Sequence, residues 1–429
     1  MKLRQLDIAQ PSQVDYLLTM ALIALSGNMA LVNNDRRDIA FLFFALIGVL
    51  RMVVLKRNPA KRMMLVYLAL MLLFGLQSAA LNFFAPVTII GFFTKLTVAA
   101  TIAATVTSFR LAFVRCMVWV TKLSLLFHIP VVLLSFAGVR LYQLFQPLAN
   151  IVGVAQHDVQ VQVNIGLHNF QTGENLIRNA GMFWEPGAFS GYLTLALLVL
   201  ATLRSDLPRR LRKRWALWLI TGILSTLSTT GLIILPLALT MFILARRATQ
   251  RAIVNNAIRL TVAAVILVPL SYFVWQLDFV GPKITELYYR AVYQEAGWEL
   301  SRFGAVIFDW AYIVERPILG WGQNNTTQYA LNPDLDRLAL GNGFTGYLRQ
   351  LGLAGMAILV ISLWAGLRAS GLGPVARAWF ILVLLLLLNG QYFMDYPLFL
   401  SLHFLGLRRR ALPRFQFQSH RHMPERMPA

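Results

Sequence analysis

Apolar runs of about 20 residues recur along the whole chain. That is the length a helix rising 1.5 Å per residue needs to cross a hydrocarbon layer of about 30 Å. Short basic turns and two long polar stretches separate the runs. The pattern predicts spans near 14–33, 39–55, 63–82, 86–108, 116–138, 187–203, 215–229, 231–245, 259–277, 346–367, 376–393 and 394–407. The remaining stretches, 139–186 and 277–345, are the two large loops of a single transmembrane domain over 1–429. The expected fold class is an all-α polytopic integral membrane protein of about 12 transmembrane helices.

Some boundaries need a choice. The run 215–245 is too long for one pass and basic at both ends, so it divides into two short passes joined at Ser228-Thr229-Thr230-Gly231. The pass at 394–407 is short and is either a full crossing or a re-entrant segment. No small-residue cleavage site follows the first run, which is therefore read as a retained span. The first loop has no strong periodicity and predicts irregular chain with short helices. In the second, 284–314 shows helical spacing and carries Tyr288, Tyr289, Trp298, Phe303 and Trp310. One or two helices lying along the membrane interface are expected there.

Composition supports the pattern: 58% of residues are hydrophobic, 13% are charged, and the mean hydropathy is +0.62. The net charge of +21 raises the question of nucleic acid. Its distribution points elsewhere, because basic residues gather in the short loops at 51–62, 110–115, 204–214, 246–259 and 368–377 and in the tail from Arg408. The positive-inside rule makes these loops and both termini cytoplasmic and puts the two large loops outside. Of the 18 acidic residues, only Asp7, Asp15, Asp206 and Glu425 then fall inside. Such loops also attract anionic membrane lipids. No basic stretch interleaves aromatics on a soluble module, so nucleic acid is not an expected partner. The single cysteine, Cys116, excludes an intramolecular disulfide.

Several chemistries lack their motifs. There is no Gly-x-x-x-x-Gly-Lys-Ser/Thr loop, no His-Glu-x-x-His, no Cys-x-x-Cys and no Gly-x-Ser-x-Gly. The six histidines show no zinc spacing, so no metal or cofactor is expected. Lys95 and Lys122 fall inside spans. They are read either as snorkelling or paired residues or as a partial sign of ion coupling.

Chemistry concentrates at the ends of the two loops. Glu185 precedes Pro186-Gly187 and a new span. Proline opens helices at the first position, which places Glu185 at the positive end of a helix dipole. A carboxylate there suits a general base that takes a proton from a sugar hydroxyl; the other reading is a cap or an ion pair with Arg178. Arg178, Arg290, Arg302 and Arg349 are candidates for gripping phosphate, since a guanidinium offers a bidentate fork. Arg316 and Arg337 stand beside Glu315 and Asp336 and read as solvated pairs. Asn342, in a Gly-Asn-Gly turn, and Tyr347 are candidate glycan contacts, with a plain turn role as the alternative for Asn342. Trp184, Trp298 and Trp321 either stack on sugars or anchor the interface.

These residues carry a resemblance. Arg178-x-x-Gly181-x-Phe183-x-Glu185-Pro186-Gly187, then Ser228-Thr229-Thr230-Gly231 between short spans, then Arg302, Pro317-x-x-Gly320-Trp321-Gly322 and the stretch 342–355 resemble, in order, the Wzy-type bacterial polysaccharide polymerases. The O-antigen ligases belong to the same superfamily. The resemblance covers roughly 170–360 and the topology. It implies a GT-C-like fold in the bacterial inner membrane, with both loops periplasmic. It also implies a metal-independent inverting glycosyltransferase that polymerises undecaprenyl-diphosphate-linked oligosaccharides, serving as both donor and acceptor. By that resemblance Arg178 and Arg302 engage the diphosphate, and a flippase and a chain-length regulator are partners. Ligases place His-Asn where this chain has Gly341-Asn342, which weakens transfer to a lipid A-core and moves the proposed base to Glu185. A flippase or transporter of lipid-linked saccharides is the alternative from another class.

Overall fold

A computed structural model describes residues 10–32, 37–152, 161–172, 177–204, 206–245, 272, 276, 281–293, 302–331 and 342–406. The described chain is mostly helical. Among the described residues, four helices are long and apolar enough to cross a membrane: α4 (Lys61–Leu81), α5 (Pro86–Thr105), α6 (Phe109–Ser135) and α14 (Gly343–Ala369). Shorter apolar helices are α1 (Gln13–Gly27), α8 (Pro186–Thr202), α10 (Thr229–Leu244) and α15 (Pro374–Leu388). With α3 (Arg37–Val54) and α9 (Arg209–Ser225), most expected spans coincide with a helix. The expected span at 259–277 lies outside the described residues apart from Tyr272 and Gln276, as do Trp298, Arg337 and Gly341. Leu65, Leu68, Met71, Leu72 and Leu76 of α4 are all about half exposed or more. A stripe of that kind calls for lipid against it, as in a membrane-embedded protein.

Contacts sort the helix ends into two sets. At one end lie the basic turns: Arg51 on Asp15 at 2.5 Å, Arg110 on Thr202 at 3.1 Å, and Arg62 on the Leu405 carbonyl at 2.9 Å. At the other lies Asn324 on Thr88, while Asn179 of the first loop reaches in to Ser124, midway along α6.

Two elements depart from the expected pattern. The first loop holds the short helices expected, at Leu141–Phe145 and α7 (Gln146–Val152). It also forms a three-stranded antiparallel sheet of β1 (Val161–Asn164), β2 (Asn169–Thr172) and β3 (Ile177–Asn179), a β element that all-α did not foresee. Strand alternation explains its two faces. Phe170 packs with Val163, Val131 and Ala149, while Gln171 and its cross-strand partner Arg178 face away from that cluster.

The pass at 394–407 is no continuous helix. It consists of α16 (Pro397–Leu400) and a 3-10 turn at Ser401–Phe404, buried throughout. Broken backbone at membrane depth is tolerated where protein surrounds it.

α8 sits at the centre of the bundle. Every residue from Pro186 to Thr202 is buried, as expected of a helix apolar on all sides. Small residues let its neighbours approach: Gly231 of α10 lies against Ser190, and Gly222 of α9 against Leu193. Tyr192, fully buried, is ringed by Phe183, Phe393 and Phe399.

α14 is kinked at Gly352, where φ is +60° and ψ −169°. The break leaves backbone groups without helical partners, and the turn after α12 (Arg302–Glu315) takes them up. Trp321 N–H donates to the Arg349 carbonyl at 2.8 Å and Gly322 N–H to Gln350 at 2.9 Å. In return Leu353 N–H donates to Pro317 at 2.8 Å and Ala354 N–H to Ile318 at 3.0 Å. A Cβ on Gly320 would lie 2.7 Å from the Gln350 carbonyl, so the Pro-x-x-Gly-Trp-Gly turn is a backbone splint for the kink.

Candidate active site

A cavity of about 830 Å³ opens where both loops meet the bundle. Among the described residues, three helix starts lie on it: α8 after Glu185, α10 after Ser228, and α14 after Asn342. Ser228 and Asn342 cap their helices, Asn342 Oδ1 accepting from Phe344 N at 3.0 Å and Thr345 N at 3.1 Å. Glu185 makes no such cap bond, and its carboxylate lines the cavity. The positive ends of three helix dipoles therefore converge on one space, a setting that favours an anion.

Arg178, Trp184, Glu185, Arg302 and Asn342, expected from sequence, all line this cavity. Arg178 comes from β3, and its Nε donates to the Thr226 carbonyl at 3.3 Å. Arg302 is the first described residue of α12 and donates to Thr230 Oγ1. Its Nη2 lies 4.0 Å from Glu185 Oε1, with both side chains 37% exposed. Burial lowers the pKa of both arginines below the usual guanidinium value, and the Glu185 charge opposes the shift. Asn342 Nδ2 donates to Asn389 Oδ1 at 3.2 Å. Trp184 packs on Tyr396 with ring centroids 5.1 Å apart. Apolar side chains line it as well: Ile233, Leu237, Leu386, Phe303, Ile284 and Leu287. The last two belong to α11 (Gly281–Val292), an amphipathic helix as expected for this loop.

Four expected site residues do not line the cavity. Arg349 is buried, its Nε 2.8 Å from Asp309 Oδ1, and its guanidinium faces the Tyr329 ring at 5.0 Å. Burial raises the Asp309 pKa to about 6, against the pull of Arg349. Tyr347 is buried and donates to the Gly355 carbonyl at 3.3 Å. Trp321 donates to the Tyr312 carbonyl at 2.8 Å, and Arg316 lies over its ring. Arg290 pairs with Glu286 one turn earlier on α11 at 2.9 Å. Lys95 is paired with Asp395 at 2.5 Å, and Lys122 lies over the Trp218 ring.

The segment 389–396 is the part of the site that sequence reasoning missed. Asn389, Gly390 and Tyr396 line the cavity, and Gln391 donates its amide to Glu185 Oε1. Hydropathy absorbed these residues into two spans. The one available signal was Asn389-Gly390-Gln391 interrupting a leucine run. Thr230, in the Ser228-Thr229-Thr230-Gly231 turn, lines the cavity as well. Among the described residues no group of three or more His, Cys, Asp or Glu is placed to hold a metal ion.

No protein-family model, curated protein or solved structure matches the chain.

Proposed function

We propose that the chain is a glycosyltransferase that joins lipid-diphosphate-linked oligosaccharides into a polysaccharide, with the reaction in this cavity. The observation that carries the reading is the meeting of Arg178, Glu185 and Arg302, from two loops far apart in sequence, around a space with three helix N-termini and apolar lining residues. A lipid diphosphate has the matching chemistry: a doubly anionic head, a sugar on one side and hydrocarbon on the other.

In this reading Arg178 and Arg302 hold the diphosphate, each charge-assisted bond contributing about 1.5–3 kcal/mol. The acceptor hydroxyl oxygen attacks the anomeric carbon of the donor sugar. Its proton passes to Glu185, the new C–O bond forms, and the bond from that carbon to the diphosphate oxygen breaks. The electron pair leaves on the lipid diphosphate, whose growing charge the arginines and helix ends stabilise. No nucleotide is consumed, because the sugar–diphosphate bond supplies the driving force. The membrane of residence is the bacterial inner membrane, with the cavity on the periplasmic face.

Purified protein in detergent, given a lipid-diphosphate-linked repeat unit as sole substrate, tests this. A ladder of longer lipid-linked glycans with released lipid diphosphate is expected. Glu185→Gln should cut turnover by about 10²–10⁴-fold while the protein stays folded. Transfer only after a lipid A-core acceptor is added would make the chain a ligase. Silence in both assays, with folded protein and competent substrate, would favour a transporter.

A further inference from the structure

Glu185 and Arg302 are opposite charges in one half-buried cavity, where a bidentate arginine–carboxylate pair is the common outcome. They do not form it: Arg302 Nη2 stops 4.0 Å from Glu185 Oε1. Each charge also meets a neutral side chain. Thr230 Oγ1 accepts from Arg302 Nη1, and Gln391 Nε2 donates to Glu185 Oε1. The two holders are set in register by close backbone packing. A Cβ on Gly390 would run into the Thr230 side chain, and one on Gly343 would run into the Gln391 carbonyl. The start of α10, the start of α14 and the turn after α15 are thereby locked together around the two charges. Gln391 does not itself line the cavity, so it acts through Glu185.

We propose that Gln391 and Thr230 are positioning residues that keep Glu185 and Arg302 from collapsing onto each other. The carboxylate is thereby kept available for a hydroxyl proton and the guanidinium for an anion. The identity of the anion rests on the glycosyl-transfer reading, whereas the separation of the charges does not. Replacing Gln391 with alanine removes the restraint on Glu185, and the carboxylate swings to Arg302, since a well-made pair of this kind gains two parallel bonds.

Two measurements on the full-length protein in detergent decide the point. The first is a thermal-unfolding cycle over Glu185→Gln and Arg302→Gln, in the native and Gln391→Ala backgrounds. The native background carries the coupling of two charges 4.0 Å apart, and the coupling should rise by at least about 2 °C in Gln391→Ala. Equal coupling in both backgrounds overturns the proposal. The second is calorimetric binding of farnesyl diphosphate. Gln391→Ala should weaken it about 10-fold, and Gln391→Ala combined with Glu185→Gln should bind as well as Glu185→Gln alone. A loss that persists without the carboxylate would mean that Gln391 acts through packing and would overturn the proposal. No binding by the native protein would count against the lipid-diphosphate reading alone, and the unfolding cycle would still judge the separation.

Discussion

Replacing Gly187 with alanine separates the position of the Glu185 carboxylate from the stability of the fold. Gly187 is the second residue of α8, and a Cβ there would lie 2.7 Å from Glu185 Oε1, 3.5 Å from Arg302 Nη2 and 3.6 Å from Gln391 Nε2. Only the carboxylate is too near. It must withdraw by about 0.7 Å to reach an ordinary contact distance. Misplacing a reacting group by one ångström costs roughly 100-fold in rate. Gly187→Ala should therefore lower kcat by about 10- to 50-fold. Stability should move the other way. Gly187 has no positive φ, and alanine at a compatible position gains about 0.4–1 kcal/mol by restricting the unfolded chain. Turnover of the lipid-linked repeat unit and thermal unfolding in detergent read the two effects separately. Native turnover in Gly187→Ala would refute the placement of Glu185 as base. A fall in Tm parallel to the fall in rate would refute the steric reasoning.

Arg349→Met should destabilise the protein by about 3–5 kcal/mol, because it strands the buried Asp309 carboxylate. An unchanged Tm with weakened substrate binding would return Arg349 to the site. His168 is buried against Phe127 and Phe170, and burial lowers its pKa from 6.5 to about 3. The fold thus favours the neutral ring. Its contribution is complete above pH 6.5 and is lost as pH falls toward 3, at up to about 1.4 kcal/mol per pH unit. Unfolding curves between pH 7 and 4 should fall less steeply for His168→Phe than for the native protein; parallel curves would contradict this.

Much of the architecture was determined by sequence alone. A helix must satisfy its own backbone, and lipid requires an apolar surface, so hydropathy located α4 and α5 almost directly; α6 begins at Phe109 and takes in the stretch 110–115 that was expected as a basic loop. Pro186 fixed the start of α8 and therefore the cap position of Glu185. The division of 215–245 into α9 and α10 followed from length and charge.

What composition could not convey is which polar residues meet. Arg302 and Arg349 look alike in sequence, each an arginine among aromatics. Tertiary packing gives Arg349 a buried carboxylate partner in Asp309 and turns Arg302 toward a cavity. Asn389, Gln391 and Tyr396 were hidden because hydropathy averages over a window and three polar residues barely lower a leucine-rich mean. Their part in the site exists only where α15 ends beside the starts of α8, α10 and α14. The small sheet was equally hidden, since its strands of three or four residues give period-2 alternation too little length to register. Local pattern sets each helix because its hydrogen bonds are local, whereas the site is made of contacts between residues up to about 200 positions apart, and only the packed bundle decides those.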